Sequence, residues 1–270
     1  MEPPAWTPPP IESVGRADEA RRVRERAEAD ERRRQREERD RQQGLNFAAI
    51  GVPLALVMGL TPLLQMMGWF LRSLVHEFGH TVVGIFCGFF AIPKIALSGH
   101  AMTSIGDSHW TIRLAVVLGA ASLARTFLER RPQVIALGAF TVLYVLTFLE
   151  PVRFSLILLG GLSFEVVGGA VCLWRCLHGE ACHSDAERAA YGMLGWFFSG
   201  RIILLGFGLA FRESVRIEYL SNGSFGLTND LVRFSSEVAG APLGACGFVL
   251  GAIGAAVPAV LLWRFLRAGP

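Results

Sequence analysis

Residues 44–71 read GLNFAAIGVPLALVMGLTPLLQMMGWFL, 28 consecutive positions without Asp, Glu, Lys or Arg. A helix of this length is long enough to cross a hydrocarbon core of about 30 Å. Pro53 and Pro62 either kink one long helix or mark a turn between two helices. The stretch therefore predicts that the chain is embedded in a lipid bilayer.

The segment before this stretch has the opposite composition. Residues 1–44 hold 11 arginines and 11 acidic residues, so their charges cancel, and five prolines precede residue 11. Good helix formers fill residues 12–43. We predict a solvated tail over residues 1–44, Pro-rich and then Arg/Glu-rich, and its arginines favour the cytoplasmic side. Because the tail has no net charge, no nucleic-acid partner is expected.

Residues 45–270 hold only 15 basic and 12 acidic groups. A soluble domain has roughly a quarter of its residues charged, which excludes a soluble globular enzyme here. We predict an all-α polytopic protein of the cell membrane, with six or seven transmembrane helices. The polar residues 94–111 are expected to form a loop or a short hairpin. Further apolar runs cover residues 78–93, 114–124, 133–149, 154–174, 191–211 and 241–263.

Residues 76–80 read HEFGH and carry the chemistry of the chain. On a helix, His76 and His80 are one turn apart on the same face, a spacing that suits two ligands of Zn²⁺. Glu77 beside them is the candidate general base, which would deprotonate a zinc-bound water. The structural alternative is that Arg72 pairs with Glu77 at the membrane interface and that the histidines are ordinary interfacial residues.

HEFGH in an apolar helix, the spacing Gly84-xxx-Gly88 and the polar segment after Ile92-Pro93 resemble the site-2 protease family of intramembrane zinc metallopeptidases. The resemblance implies a small membrane-associated hairpin after the metal helix. It also implies zinc-dependent cleavage of transmembrane protein substrates. In that family an Asp-Gly motif on a later helix supplies the third zinc ligand, and this chain has no such Asp-Gly.

Glu165 is the first candidate for the third ligand. It lies near the middle of the apolar run 154–174, and nothing nearby in sequence neutralises it. A buried carboxylate without a partner stays protonated or seeks a cation, and a metal is such a cation. The alternative is an ion pair with Arg201, the other charge inside an apolar run.

Three other residues are further candidates for the metal. Asp230 is the alternative third ligand, and its structural role would be that of a helix N-cap. His183 and Asp185 rank after it. A separate group, Cys176, His178, Cys182 and His183, either binds a structural metal or forms a polar turn.

The sequence favours an intramembrane zinc metalloendopeptidase, in which His76, His80 and a carboxylate hold the metal and Glu77 is the base. Two other functions stay open. One is a metal-binding membrane protein without proteolytic activity, such as a sensor or a transport-related subunit. The other is a membrane scaffold whose charged tail recruits a partner. Each hypothesis makes the lipid bilayer a partner, and only the first requires a transmembrane protein substrate.

Overall fold

The computed structural model of the protein describes residues 11–96, 100–127, 131–179, 182–221 and 229–267. The helices are α1 (Ile11–Leu60), α2 (Pro62–Phe86), α3 (Trp110–Phe127), α4 (Arg131–Leu146), α5 (Glu150–His178), α6 (Asp185–Phe211), α7 (Glu213–Ser221), α8 (Asp230–Arg233) and α9 (Leu243–Arg267). A π-helical segment covers Phe234–Ala239, and two strands, β1 (Phe89–Ala96) and β2 (His100–Ser108), complete the fold. The predicted all-α character of the membrane body is confirmed, with one hairpin as its β-structure in the described ranges.

Four of the described helices are long and apolar enough to cross a membrane, namely α1 from Arg21 onward, α5, α6 and α9. The predicted six or seven spans are therefore not confirmed. The apolar run 78–93 is divided between the end of α2 and the start of β1. The run 133–149 gives α4, which has only 16 residues and is short for a span.

The apolar stretch 44–71 is divided between two helices at Thr61. The backbone of Thr61 is extended, with φ −88° and ψ 120°, because a residue before a proline avoids the helical region. Pro62 then begins α2, where its missing N–H is no loss. Pro53, in contrast, lies inside α1. Of the two predicted alternatives, the turn is found at Pro62.

A two-stranded antiparallel hairpin follows α2. Gly88 has φ +89° and turns the chain from the helix into β1, a conformation that favours glycine. The register pairs Ala96 with His100 and Pro93 with Thr103. The predicted loop or hairpin at 94–111 is thus a hairpin, and it begins earlier than expected because β1 takes its residues from the apolar run.

Helix α6 lies at the centre of the described fold and packs against α1, α5 and α9. Leu162 of α5, Ile202 and Leu209 of α6, and Leu231 of α8 form a buried apolar cluster. This cluster fixes the short helix α8 to two of the candidate spans, which brings the residue at the start of α8 next to the helices that carry the site.

The predicted boundary between tail and body at residue 44 lies inside the continuous helix α1. Side chains 21–40 are exposed along this helix. At its junction with the body, Arg188 of α6 donates hydrogen bonds to the carbonyl oxygens of Asp40, Cys176 and Leu177. The end of the tail is therefore joined to the helical body. The Pro-rich residues 1–10 lie outside the described residues.

Candidate metal centre

The two histidines of HEFGH meet a carboxylate from a distant part of the chain. His80 Nε2 lies 3.0 Å from Oδ2 of Asp230, and His76 Nε2 lies 3.3 Å from the same oxygen. The two Nε2 atoms are 3.1 Å apart. Two ligands of a tetrahedral zinc ion with bonds of about 2.0–2.1 Å stand about 3.3 Å apart. The spacing and the donor set therefore fit Zn²⁺, and no second such group occurs among the residues described.

Helix α5 packs closely on α2 next to the two histidines. A Cβ at Gly79 would lie 2.5 Å from the carbonyl oxygen of Gly160, so a side chain there would push the helices apart. The ring of His76 lies directly over Gly161, where a Cβ would be 2.5 Å from His76 Cε1. Small residues at these positions allow the close approach of the helices that the site requires.

Each histidine is oriented through its other ring nitrogen. His80 Nδ1 donates a hydrogen bond of 2.7 Å to the carbonyl oxygen of Ile157. His76 Nδ1 donates one of 2.7 Å to Oε1 of Glu165. Because a carbonyl oxygen only accepts, these bonds leave the lone pair of Nε2 available, which is the usual arrangement behind a metal-binding histidine.

Glu165 lies behind His76 rather than among the candidate ligands. Its carboxylate is fully buried, and Oε2 accepts a hydrogen bond of 2.8 Å from Arg72 Nε. The prediction that Glu165 is the third ligand therefore differs from the structure, which brings Asp230 to that position. The alternative ion pair is formed with Arg72 of α2 and not with Arg201. Arg72 is thus engaged by Glu165, rather than by Glu77 as the interfacial alternative expected.

Asp230 is held in place by its neighbours in sequence. Asn229 occupies the N-cap position of α8, so the predicted alternative role of Asp230 is taken by the preceding residue. The side-chain amide of Asn229 donates a hydrogen bond of 2.6 Å to the carbonyl oxygen of Tyr219. Leu231 is buried against Leu162 in the apolar cluster. These contacts on both sides fix the backbone that carries the carboxylate.

The surroundings of Asp230 favour its charged form. Burial by itself raises the pKa of a carboxyl, but the imidazoles of His76 and His80 next to it outweigh that effect and hold the pKa of Asp230 well below its usual value. The side chain remains 32% exposed. A deprotonated carboxylate that is accessible to solvent is the form that binds a metal ion.

The candidate base Glu77 lines the same cavity as His76 and Asp230, which has a volume of about 610 Å³. Glu77 is buried, with 6% of the residue exposed. Oε2 of Glu77 accepts a hydrogen bond of 2.7 Å from the hydroxyl of Thr103 on β2. Two arginines, Arg72 and Arg201, also line the cavity. A cavity of this size falls within the range of volumes that hold small ligands in proteins.

The remaining predicted candidates lie elsewhere. Asp185 is in the first turn of α6, and the backbone N–H of His183 donates a hydrogen bond of 2.8 Å to the side chain of Glu187. Both have structural roles at a helix start. His178 Nδ1 donates to the carbonyl oxygen of Trp174, and Cys182 Sγ contacts the carbonyl oxygen of Arg175. Together with Cys176 and His183 these two form no metal-binding group in the described part of the chain.

Sequence reasoning did not assign a role to Thr103, and it considered Glu77 but not Glu165 as a partner of Arg72. Thr103 is one hydroxyl among several in a polar segment, and no local pattern distinguishes it. Arg72 carried a usable signal, because it lies one helical turn before His76 and thus on the same face of α2. An arginine on the ligand face of an apolar helix indicates a buried acidic partner nearby.

Comparison of the chain with known protein families, with curated proteins and with solved structures finds no match.

Proposed function

We propose that the protein is an intramembrane zinc metalloendopeptidase of the site-2 protease type, which hydrolyses peptide bonds of membrane-embedded protein substrates. The observation that carries this proposal is the convergence of His76, His80 and Asp230 next to a cavity. Two of these three residues, His76 and Asp230, line that cavity together with Glu77. Three protein ligands leave the fourth position of a tetrahedral zinc for water or substrate, which is the arrangement of catalytic zinc sites.

In this proposal His76, His80 and Asp230 hold Zn²⁺. When bound, zinc lowers the pKa of a water to about 7 and polarises the scissile carbonyl group. Glu77 takes the proton from the water that attacks the carbonyl carbon and delivers it to the amine nitrogen as the C–N bond breaks. Glu165 has an indirect role, because its hydrogen bond with Nδ1 keeps the His76 ring in the tautomer whose Nε2 is free to bind the metal.

The position of Glu165 supports a site at membrane depth. Glu165 is the sixteenth of the 29 residues of α5, which is a candidate span, and its carboxylate contacts His76. A site near the middle of a span would meet the transmembrane segment of a substrate. In this proposal the protein is a multi-pass protein of the cell membrane, and its arginine-rich tail lies on the cytoplasmic side.

The substitution Glu77→Gln tests the proposal. It removes the base and leaves the three candidate ligands in place, so the full chain in detergent micelles should bind zinc like the wild type. Cleavage of transmembrane peptides labelled with a fluorophore and a quencher should fall at least about 100-fold. His76→Ala is the matched variant, because it should lose zinc as well as cleavage. Full cleavage by Glu77→Gln would refute the proposal.

The second candidate is a metal-binding membrane protein without peptidase activity. This function is favoured by the sequence around the third candidate ligand, because Asp230 is followed by Leu231 and not by the glycine of the family motif. Stoichiometric zinc in the wild type, lost in Asp230→Asn, together with no cleavage of any transmembrane peptide would support this function over the first.

A further inference from the structure

We propose that Thr103 is a positioning residue for Glu77, whose hydroxyl fixes the orientation of the carboxylate that acts as the base. The inference rests on the proposed peptidase function. It assigns a role to the hairpin β1–β2, which neither the sequence motif nor the metal cluster provides. The contact joins two separate elements, because Glu77 belongs to α2 and Thr103 to β2.

The geometry selects the carboxylate as the acceptor of the hydroxyl proton. Thr103 Oγ1 lies 2.7 Å from Oε2 of Glu77 and 3.0 Å from the carbonyl oxygen of the same residue. That carbonyl already accepts a hydrogen bond of 2.8 Å from the hydroxyl of Thr81. A hydroxyl has one proton, and a bond to a charged oxygen is shorter and stronger than a bond to a neutral one. The proton of Thr103 therefore goes to the carboxylate.

One held oxygen is enough to orient the group. The terminal torsion of a glutamate is broad and roughly two-fold, so an unrestrained carboxylate rotates freely. The Thr103 hydroxyl anchors Oε2, while Oε1 has no hydrogen bond with any residue that the structure describes. A base needs such an arrangement, with one oxygen restrained and the other available to receive a proton within hydrogen-bond reach.

The hairpin register keeps Thr103 at this place. Thr103 pairs with Pro93, and Ala101, two positions earlier on the same face of β2, lines the cavity together with Glu77. The Thr103 side chain is partly buried against α2 rather than turned to solvent. The hydrogen bond therefore couples the position of the hairpin to the orientation of the base.

Two variants of Thr103 and one control separate positioning from packing. Thr103→Val removes the hydroxyl at nearly constant shape, and Thr103→Ser keeps it. Thr81→Val is the matched control, because the Thr81 hydroxyl bonds only the carbonyl of Glu77 and not the carboxylate. Cleavage of a labelled transmembrane peptide by the full chain in micelles gives kcat and KM for each variant, and circular dichroism gives the Tm.

We expect kcat of Thr103→Val to fall on the order of 10- to 100-fold, the range that a small misplacement of a catalytic group produces, while KM stays within about twofold. Thr103→Ser should retain kcat within about threefold, and Thr81→Val should leave kcat unchanged. An unchanged kcat in Thr103→Val, or an equal loss in all three variants, would overturn the inference.

A double-mutant cycle of Tm tests the contact without any activity measurement. Thr103→Val should lower the Tm in the wild-type background and have a much smaller effect when Glu77 is already alanine. Equal Tm shifts in both backgrounds would show that the hydroxyl does not hold the carboxylate and would refute the inference. If zinc-loaded wild type cleaves no peptide, the proposed function fails and the catalytic role of Thr103 fails with it. The double-mutant cycle would still show whether the Thr103 hydroxyl holds the carboxylate of Glu77, because it measures Tm and not activity.

Discussion

Glu165→Gln is the substitution that best distinguishes a ligand from a residue that orients a ligand. The carboxylate of Glu165 accepts hydrogen bonds from His76 Nδ1 at 2.7 Å and from Arg72 Nε at 2.8 Å. Glutamine keeps the shape but has no charge, and it offers only one accepting oxygen for two donors. One of the two donors is then left unsatisfied, and the preference of His76 for the tautomer with a free Nε2 weakens.

Two magnitudes follow from this geometry. Loss of an outer partner of a metal-binding histidine costs about 10- to 100-fold in metal affinity, or about 1.4–2.8 kcal/mol. Breaking a buried ion pair by removing one member costs about 3–5 kcal/mol of stability. Because the side chain of Arg72 is 24% exposed, water compensates it in part, and we expect the lower end of that range.

The assay is zinc competition against a fluorescent chelator, with the Tm measured on the same samples of the full chain in micelles. Glu165→Gln should weaken zinc binding about 10- to 100-fold. The double variant with Arg72→Gln should recover Tm but not zinc affinity, since it removes the unpaired charge and not the defect at His76. Glu237→Gln is the control, because Glu237 pairs with Arg233 on the surface.

The comparison with Asp230→Asn decides the outcome. If Asp230 is a ligand, its substitution should weaken zinc binding more than that of Glu165, since it removes a coordinating oxygen. Zinc affinity that is unchanged in Glu165→Gln would refute the orienting role. Complete loss of zinc in Glu165→Gln, with normal binding in Asp230→Asn, would show that Glu165 is the third ligand and that the arrangement described above is wrong.

Two further predictions concern the packing over His76 and the charged tail. Gly161→Ala should weaken zinc binding at least about tenfold, because the added Cβ would force the ring of His76 to move by about 1 Å. If the higher helix propensity of alanine were the only effect of this substitution, the Tm would rise instead. Gly119→Ala, where a Cβ meets no atom within 4 Å, should leave zinc affinity as it is, and equal affinities in the two variants would contradict the packing argument. Deletion of residues 1–38 should leave zinc content and peptide cleavage in micelles unchanged, because side chains 21–38 are exposed and the contact of Arg188 with Asp40 is kept. Loss of cleavage on this deletion would contradict the prediction, because it would show that the peptidase activity depends on the tail.

Local patterns were sufficient for much of the helical architecture. Long apolar runs predicted α5, α6 and α9, since each run is longer than the hydrocarbon core requires. The run 78–93 was misleading, because hydropathy alone does not distinguish the end of a helix from an apolar strand. The chain changes from helix to strand at Gly88, which has a positive φ. This change depends on the pairing of β1 with β2, which a local pattern does not show.

For the site, the sequence by itself determined the pair His76 and His80 and the adjacent Glu77, because a spacing of four on a helix fixes two side chains on one face through local geometry. Only the tertiary structure decided between the acidic residues Glu165 and Asp230, which are 89 and 154 positions away from His76. Both are carboxylates in the second half of the chain, and their chemistry does not separate them. The packing of α5 and α8 near α2 puts Glu165 at Nδ1 of the His76 ring and Asp230 at Nε2.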